Sequence, residues 1–263
     1  MRTDSDCLKR FGFTVEIGGV HLARTMMLDE ISSLLQYLND PQAEKEDYAR
    51  AIEEENCLGK RSVQNRKLTK QHLASLYSLD PSVNLFRSLL YFWWRDIPGR
   101  PLIALLCAFS RDAVLRASAS FVLDLSEGET ITREETENFF EKKDPDRFSK
   151  ATLKSVAQNV NGSWTRAGHL VGRTRKKRAH PLSTPGAVAY ALLLGYLSGV
   201  RGEELFRTDF MKVLDCSRDR AIELAEEASR KGWIIFKRVG DVVEVQFPNL
   251  LTAQEMEWIR EQN

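Results

Sequence analysis

The chain has 263 residues, of which 43% are hydrophobic and 29% charged, with a formal net charge of +1. That length fits one large domain or two ordinary ones, and the composition supplies a sizeable core and argues against wholesale disorder. Cys7, Cys57, Cys107 and Cys216 are widely spaced, with no CxxC pair and no Cys/His cluster, which speaks against a disulfide framework or structural zinc and for reduced thiols in a cytoplasm.

The first residues, MRTDSDCLKRFGF, carry acids and no apolar run, so no signal peptide is expected. The alternation of Phe11, Phe13, Val15 and Ile17 predicts a strand-like arm over 1–18, ended by Gly18-Gly19. Apolar positions at three- and four-residue steps (Leu22, Met26, Ile31, Leu34, Leu35, Leu38) predict one helix over 20–38, stopped by Pro41. An acidic helix over 42–56 and a helix over 62–79 follow. Pro81–Trp94 is apolar nearly all round, as a central bundle helix would be. Further helices are expected over 101–110, with Pro101 in the first turn, and over 112–125. Thr132 and Glu135 have capping-box spacing for a helix through Lys142, and another helix is expected over 149–171. Short connections between amphipathic helices describe a bundle over 19–172.

The stretch 173–183, beginning RTRKKRAH, reads as a basic linker and the boundary to a second unit over 184–263. There Ala187–Val200 is strongly apolar, but Pro181 and Pro185 interrupt the longer uncharged stretch, so a buried core helix is favoured over a membrane span. A helix over 203–213, the turn Leu214–Ser217 and a helix over 218–231 come next. Trp233–Arg238 and Val242–Phe247 then flank Val239-Gly240-Asp241 as a hairpin. The expected fold is mainly α: an N-terminal helical bundle followed by a C-terminal winged helix-turn-helix with a short β-hairpin wing.

Charge is segregated along the chain. Between Asp146 and Glu203 there is no acidic residue, while Arg147, Lys150, Lys154, Arg166, Arg173, Arg175, Lys176, Lys177, Arg178 and Arg201 are all basic. Compensating acids gather in Asp40–Glu55. Such segregation is the footprint of a polyanion binder. Lys150, Lys154, Arg173, Arg175, Lys176, Lys177 and Arg178 are the candidate phosphate contacts, with RTRKKR read as either a solvated loop or a flexible arm. In the helix-turn-helix mode Arg218 and Arg220 would enter or straddle the groove and Lys237 would anchor the wing, although Glu223, Glu226 and Glu227 on the same helix oppose this. Trp164 is read as a core residue rather than a base-stacking one.

His21, His72, His169 and His180 are scattered, without metal-ligand spacing or a triad pattern. No phosphate loop, dinucleotide fingerprint or HExxH motif occurs. The expectation is therefore a cytoplasmic, non-enzymatic protein with no cofactor, no metal, no membrane contact and no small-molecule substrate.

The segment Glu54-Glu55-Asn56-Cys57-Leu58-Gly59-Lys60-Arg61-Ser62 ahead of a basic helix resembles the BrxA family of BREX phage-defence systems. Ser163-Trp164-Thr165 and Ala191-Leu-Leu-Leu-Gly-Tyr196 with Gly202 beyond carry the same resemblance. It implies a DNA-binding accessory component, encoded beside a methyltransferase, an ATPase and a phosphatase-like protein, with no catalytic residues to transfer. The resulting expectation is a double-stranded-DNA-binding accessory protein of a defence complex. A protein-interaction scaffold contacting other defence proteins, a regulator of its own operon and, more weakly, an RNA binder are the rivals.

Overall fold

The computed structural model describes residues 5–14, 18–240 and 242–261. Among these the chain is mainly helical, with two small antiparallel sheets, one of them near the C-terminus. The N-terminal segment differs from the expected arm. Ser5–Phe11 is a helix (α1), ended by Gly12 at φ 100°, a left-handed value that glycine tolerates. A Cβ at Gly12 would lie 2.4 Å from Val83 Cγ1, so the close approach also requires glycine. This turn carries Phe11 against Trp258 and Phe13 against Phe210, which produces the alternation that reads as a strand. Val15 and Ile17 lie outside the described residues.

The single helix expected over 20–38 is two pieces, a 3-10 turn Val20–Leu22 and α2, Leu28–Leu38. Between them Met26 is fully buried, its N–H donating to Ser163 Oγ at 2.8 Å and its carbonyl accepting from Tyr77 Oη. These tertiary bonds replace the helical ones, and Met27 turns left-handed at φ 52°. The next helices are α3 (Lys45–Glu53), α4 (Val63–Tyr77, with Ser62 accepting from the Asn65 amide), α5 (Asn84–Arg95) and α6 (Arg100–Arg111). The helix expected over 112–125 divides into α7 (Ala113–Ala117) and α8 (Ala119–Leu123) at buried Ser118. Ser118 Oγ donates to Leu115 O and accepts from Trp164 Nε1 at 2.8 Å.

Strand β1 (Thr130–Ile131) precedes α9, Arg133–Lys143, whose capping box of Thr132 and Glu135 forms as the spacing predicts. Helix α10, Lys150–Ala167, is capped by Ser149 and ends at Gly168, φ 95°. The next two elements replace the end of the helix expected over 149–171, which stops at the left-handed Gly168, and part of the expected linker. Leu170–Val171 (β2) and Lys176–Arg178 (β3) form a hairpin, and β3 pairs with β1 on its other side. Part of the expected linker is thus the middle strand of a three-stranded sheet.

Helix α11, Pro185–Leu197, starts from the Thr184 cap with Pro185 in its first turn and is buried on all faces. It packs against α5 and α6 on one side and, on the other, against α12 (Asp209–Val213) and α13 (Arg218–Arg230). A 3-10 turn, Gly202–Arg207, lies between α11 and α12. Fully buried Val188, Leu192, Leu193, Leu194 and Leu197 each contribute about 1.5–3 kcal/mol of burial. Gly195 permits the close approach, since a Cβ there would sit 3.1 Å from both Leu205 and Thr208 side chains. Hairpin β4 (Ile235–Val239) and β5 (Val242–Gln246) follows α13, and α14 (Ala253–Glu261) returns beside α1 and α5 through Trp258 and the ion pair Arg87–Glu255. Among the described residues no helix is long and apolar enough to cross a membrane.

Candidate nucleic-acid interface

Helix α10 buries Leu153, Val156, Ala157, Val160 and Trp164 on one side, leaving Lys150, Lys154 and Gln158 exposed at four-residue intervals on the other. Successive members of such a row stand about 6 Å apart along the axis. At the far end of that row the β2–β3 hairpin turns through Gly172, φ 102°, where a Cβ would meet Arg175 O at 2.7 Å. The tight turn displays Arg173 and Arg175, both exposed. Together with Thr174, Lys176, Gln158, Asn161, Gly162 and the start of α9 (Thr132, Arg133, Glu134) they line one cleft of about 540 Å³.

Within the sheet the basic run alternates. Lys176 is half-buried, Lys177 exposed and Arg178 buried, as period-two strand geometry requires. Burial pushes the Lys176 ammonium pKa down, and Gly172 O is the hydrogen-bond acceptor it reaches, at 3.4 Å. Lys177 lies on the other face of the sheet, beside exposed Val171. Arg178 is not a surface contact. It is 3% exposed, its Nη2 is 2.7 Å from Asp215 Oδ2, and its guanidinium also donates to the Ala179 carbonyl. Its backbone pairs with Gly128 and Glu129. The residue read as a phosphate ligand instead locks β3 to the turn before α13, and His180 Nδ1 meets the same Asp215 oxygen at 2.9 Å.

The other belt members divide. Arg147 pairs with Asp144 and Arg166 with Asp29, while Arg201 lies 3.9 Å from the Tyr196 ring centroid and donates to the Val200 carbonyl. Lys150, Lys154, Arg173, Arg175, Lys176 and Lys177 have no ion-pair partner among the described residues. The C-terminal cations behave differently. Arg218 Nε is 2.6 Å from Glu203, Arg220 is 2.8 Å from Glu223, and Lys237 on β4 stands opposite Glu244 on β5. At the cleft the one acid, Glu134, has its carboxyl pKa lowered by its own backbone amide, with Arg133 and Lys154 adding to the effect.

Trp164 is fully buried, as the core reading expects, and offers no face to a base. The histidines are less scattered in space than in sequence. His21 Nδ1 is 2.8 Å from Asp112 Oδ2 and His21 Nε2 is 2.8 Å from Ser163 Oγ, a Ser–His–Asp string whose members are separated by 91 and 142 residues. All three side chains are at most 1% exposed. Ser163 Oγ also accepts from the Met26 amide and donates to Asn159 O, so the string is a clasp holding the broken segment before α2 onto α10. Burial works against the Asp112 carboxylate, but His21 and the amides of Leu115 and His21 bring its pKa below the ordinary value. Among the described residues no group of three or more His, Cys, Asp and Glu could hold a metal ion. No protein-family model, curated protein or solved structure matches the chain.

Proposed function

We propose that the chain is a DNA-binding accessory protein that grips the phosphate backbone of duplex DNA along α10 and the β2–β3 hairpin. The observation that carries this reading is the set of six cations on the α10 face, at the cleft and on the neighbouring outer face of β3, with no ion pair to an acid among the described residues. Full engagement of six phosphates gives log K a slope of about −5 against log salt on duplex DNA. The buried Trp164 removes the one aromatic side chain near this face that the sequence offered for stacking, which favours duplex over single strands.

The order α12, turn, α13, β4, β5 supports a winged-helix reading of the C-terminal part. Along 218–231, Arg218, Arg220, Arg230 and Lys231 are balanced by Asp219, Glu223, Glu226 and Glu227, so this stretch carries no net charge. That balance favours binding without base readout and weakens a role as regulator of its own operon. It also favours a second reading, in which α13 meets a partner protein of a defence complex. The setting proposed for both is a BREX-type anti-phage system, on the strength of the Glu54–Ser62 and Ser163–Thr165 resemblance.

Anisotropy titrations with duplex DNA, single-stranded DNA and RNA across a salt series test the first reading. Tightest binding to duplex with a slope near −5 is expected, and a slope near zero would refute it. Co-purification from the native operon at high salt tests the second, because an apolar contact survives salt that strips DNA.

A further inference from the structure

We infer that the cleft between α9, α10 and the β2–β3 hairpin is a seat for a phosphomonoester, so that the protein favours duplex ends bearing a 5′-phosphate. This deepens the duplex-binding reading and rests on it. Arg173, Thr174, Arg175 and Gln158 bring side-chain donors to one cavity and have no hydrogen-bond or ion-pair partner on the chain among the described residues, and Lys176 reaches only a carbonyl at 3.4 Å. The remaining cation, Arg133, is committed to Glu137 at 2.7 Å and to Glu134, the cleft's one acid.

Charge selects the ligand. The other three cations line one cavity of about 540 Å³ and can act on a single group there, whereas Lys150 and Lys154 are spread along a row. An internal phosphodiester carries one negative charge, while a terminal phosphomonoester carries about 1.5 to 2 at neutral pH and three strong acceptor oxygens. Lys176 stands half-buried against the sheet, where lower dielectric strengthens its attraction for that extra charge. A strand seated by its terminal phosphate would continue along the Lys154–Lys150 row, so that the cleft and the helix face read consecutive parts of one end.

The test uses the full chain and one short duplex made in two forms, with 5′-phosphate and with 5′-hydroxyl ends, and deoxyadenosine monophosphate as free competitor. The phosphorylated form is expected to bind about tenfold tighter, equivalent to about 1.4 kcal/mol. Arg175→Gln with Lys176→Gln should bring the ratio to about one, whereas Lys150→Gln with Lys154→Gln should weaken both forms and keep the ratio. Arg175→Gln alone, at an exposed loop position, repeats the test should the double variant melt early. Displacement of both duplexes by the free nucleotide, without end preference, overturns the preference for phosphorylated ends and gives the cleft to a mononucleotide instead. Equal affinity for both ends with a full salt slope and no such displacement overturns the seat but leaves duplex binding standing. Failure to bind either duplex removes both.

Discussion

The α10–hairpin face and the α13–hairpin region both set basic residues on a helix beside a small antiparallel sheet, yet they dispose of the charge in opposite ways. On α13 both candidate cations are paired, Arg218 with Glu203 and Arg220 with Glu223, and on β4 Lys237 stands in register with Glu244 of β5. Around the exposed face of α10 and β3 the acid at the cleft, Glu134, is taken up by Arg133, and of the RTRKKR run only Arg178 has an ion pair among the described residues, with Asp215. Exposed ion pairs are worth little to stability, at about 0–1 kcal/mol, but they cancel the field that a polyanion would feel. Counting lysines and arginines along a chain therefore overstates a binding surface until their partners are known.

The largest effect that can break this contrast is at the one buried member. Arg178→Ala leaves Asp215 with His180 as its ion-pair partner and should cost about 3 kcal/mol of stability, read as a lowered melting temperature, whereas Lys177→Ala next to it should change little. A silent Arg178→Ala would return that residue to the binding surface. Neutralising Arg173, Arg175 and Lys177 together should weaken duplex binding by about two orders of magnitude and flatten the salt slope by about three, with melting unchanged. Unaltered binding would mean the unpaired cations are idle.

Acid provides a third probe. His169, fully buried between Trp164 and Val213 O, has its pKa lowered to about 4 by burial. Because the unfolded chain takes up the proton first, its contribution is complete above about pH 6.5 and is lost as pH falls toward 4, amounting to about 3 kcal/mol. His169→Asn should flatten the acid limb of the pH–stability curve, and an unchanged limb would assign the acid sensitivity elsewhere. The smallest effect sharpens the comparison directly: Arg218→Gln with Arg220→Gln should alter duplex affinity by less than about threefold. A loss as large as that of the hairpin triple would make α13 the reading element after all.

Local chemistry made much of the fold legible. Thr132 with Glu135 announces α9 because a hydroxyl accepting an N3 amide is encoded within four residues, and Ser62, Ser149 and Ser217 cap α4, α10 and α13 by the same short-range bond. What escaped depends on distant partners. The break at Met26 is imposed by Ser163 and Tyr77, and the division of α7 from α8 by Trp164, neither of which periodicity can register. The strands of the middle sheet span two or three residues each, too short for an alternation signal, although Lys176-Lys177-Arg178 does alternate in burial once it is known to be a strand. Ser163 and Trp164 of the family-like segment turn out to point inward, which explains their demands on neighbouring side chains but assigns them no ligand.

Helix α11 has one consequence for anyone who would take the protein apart. Its apolar circumference is shared out between α5 and α6 on one flank and α12 and α13 on the other. A truncation after residue 183 would leave an oily trough on the bundle, and an isolated fragment from 184 onward would carry the matching ridge into water. Each piece should precipitate alone and regain solubility when the two are co-expressed.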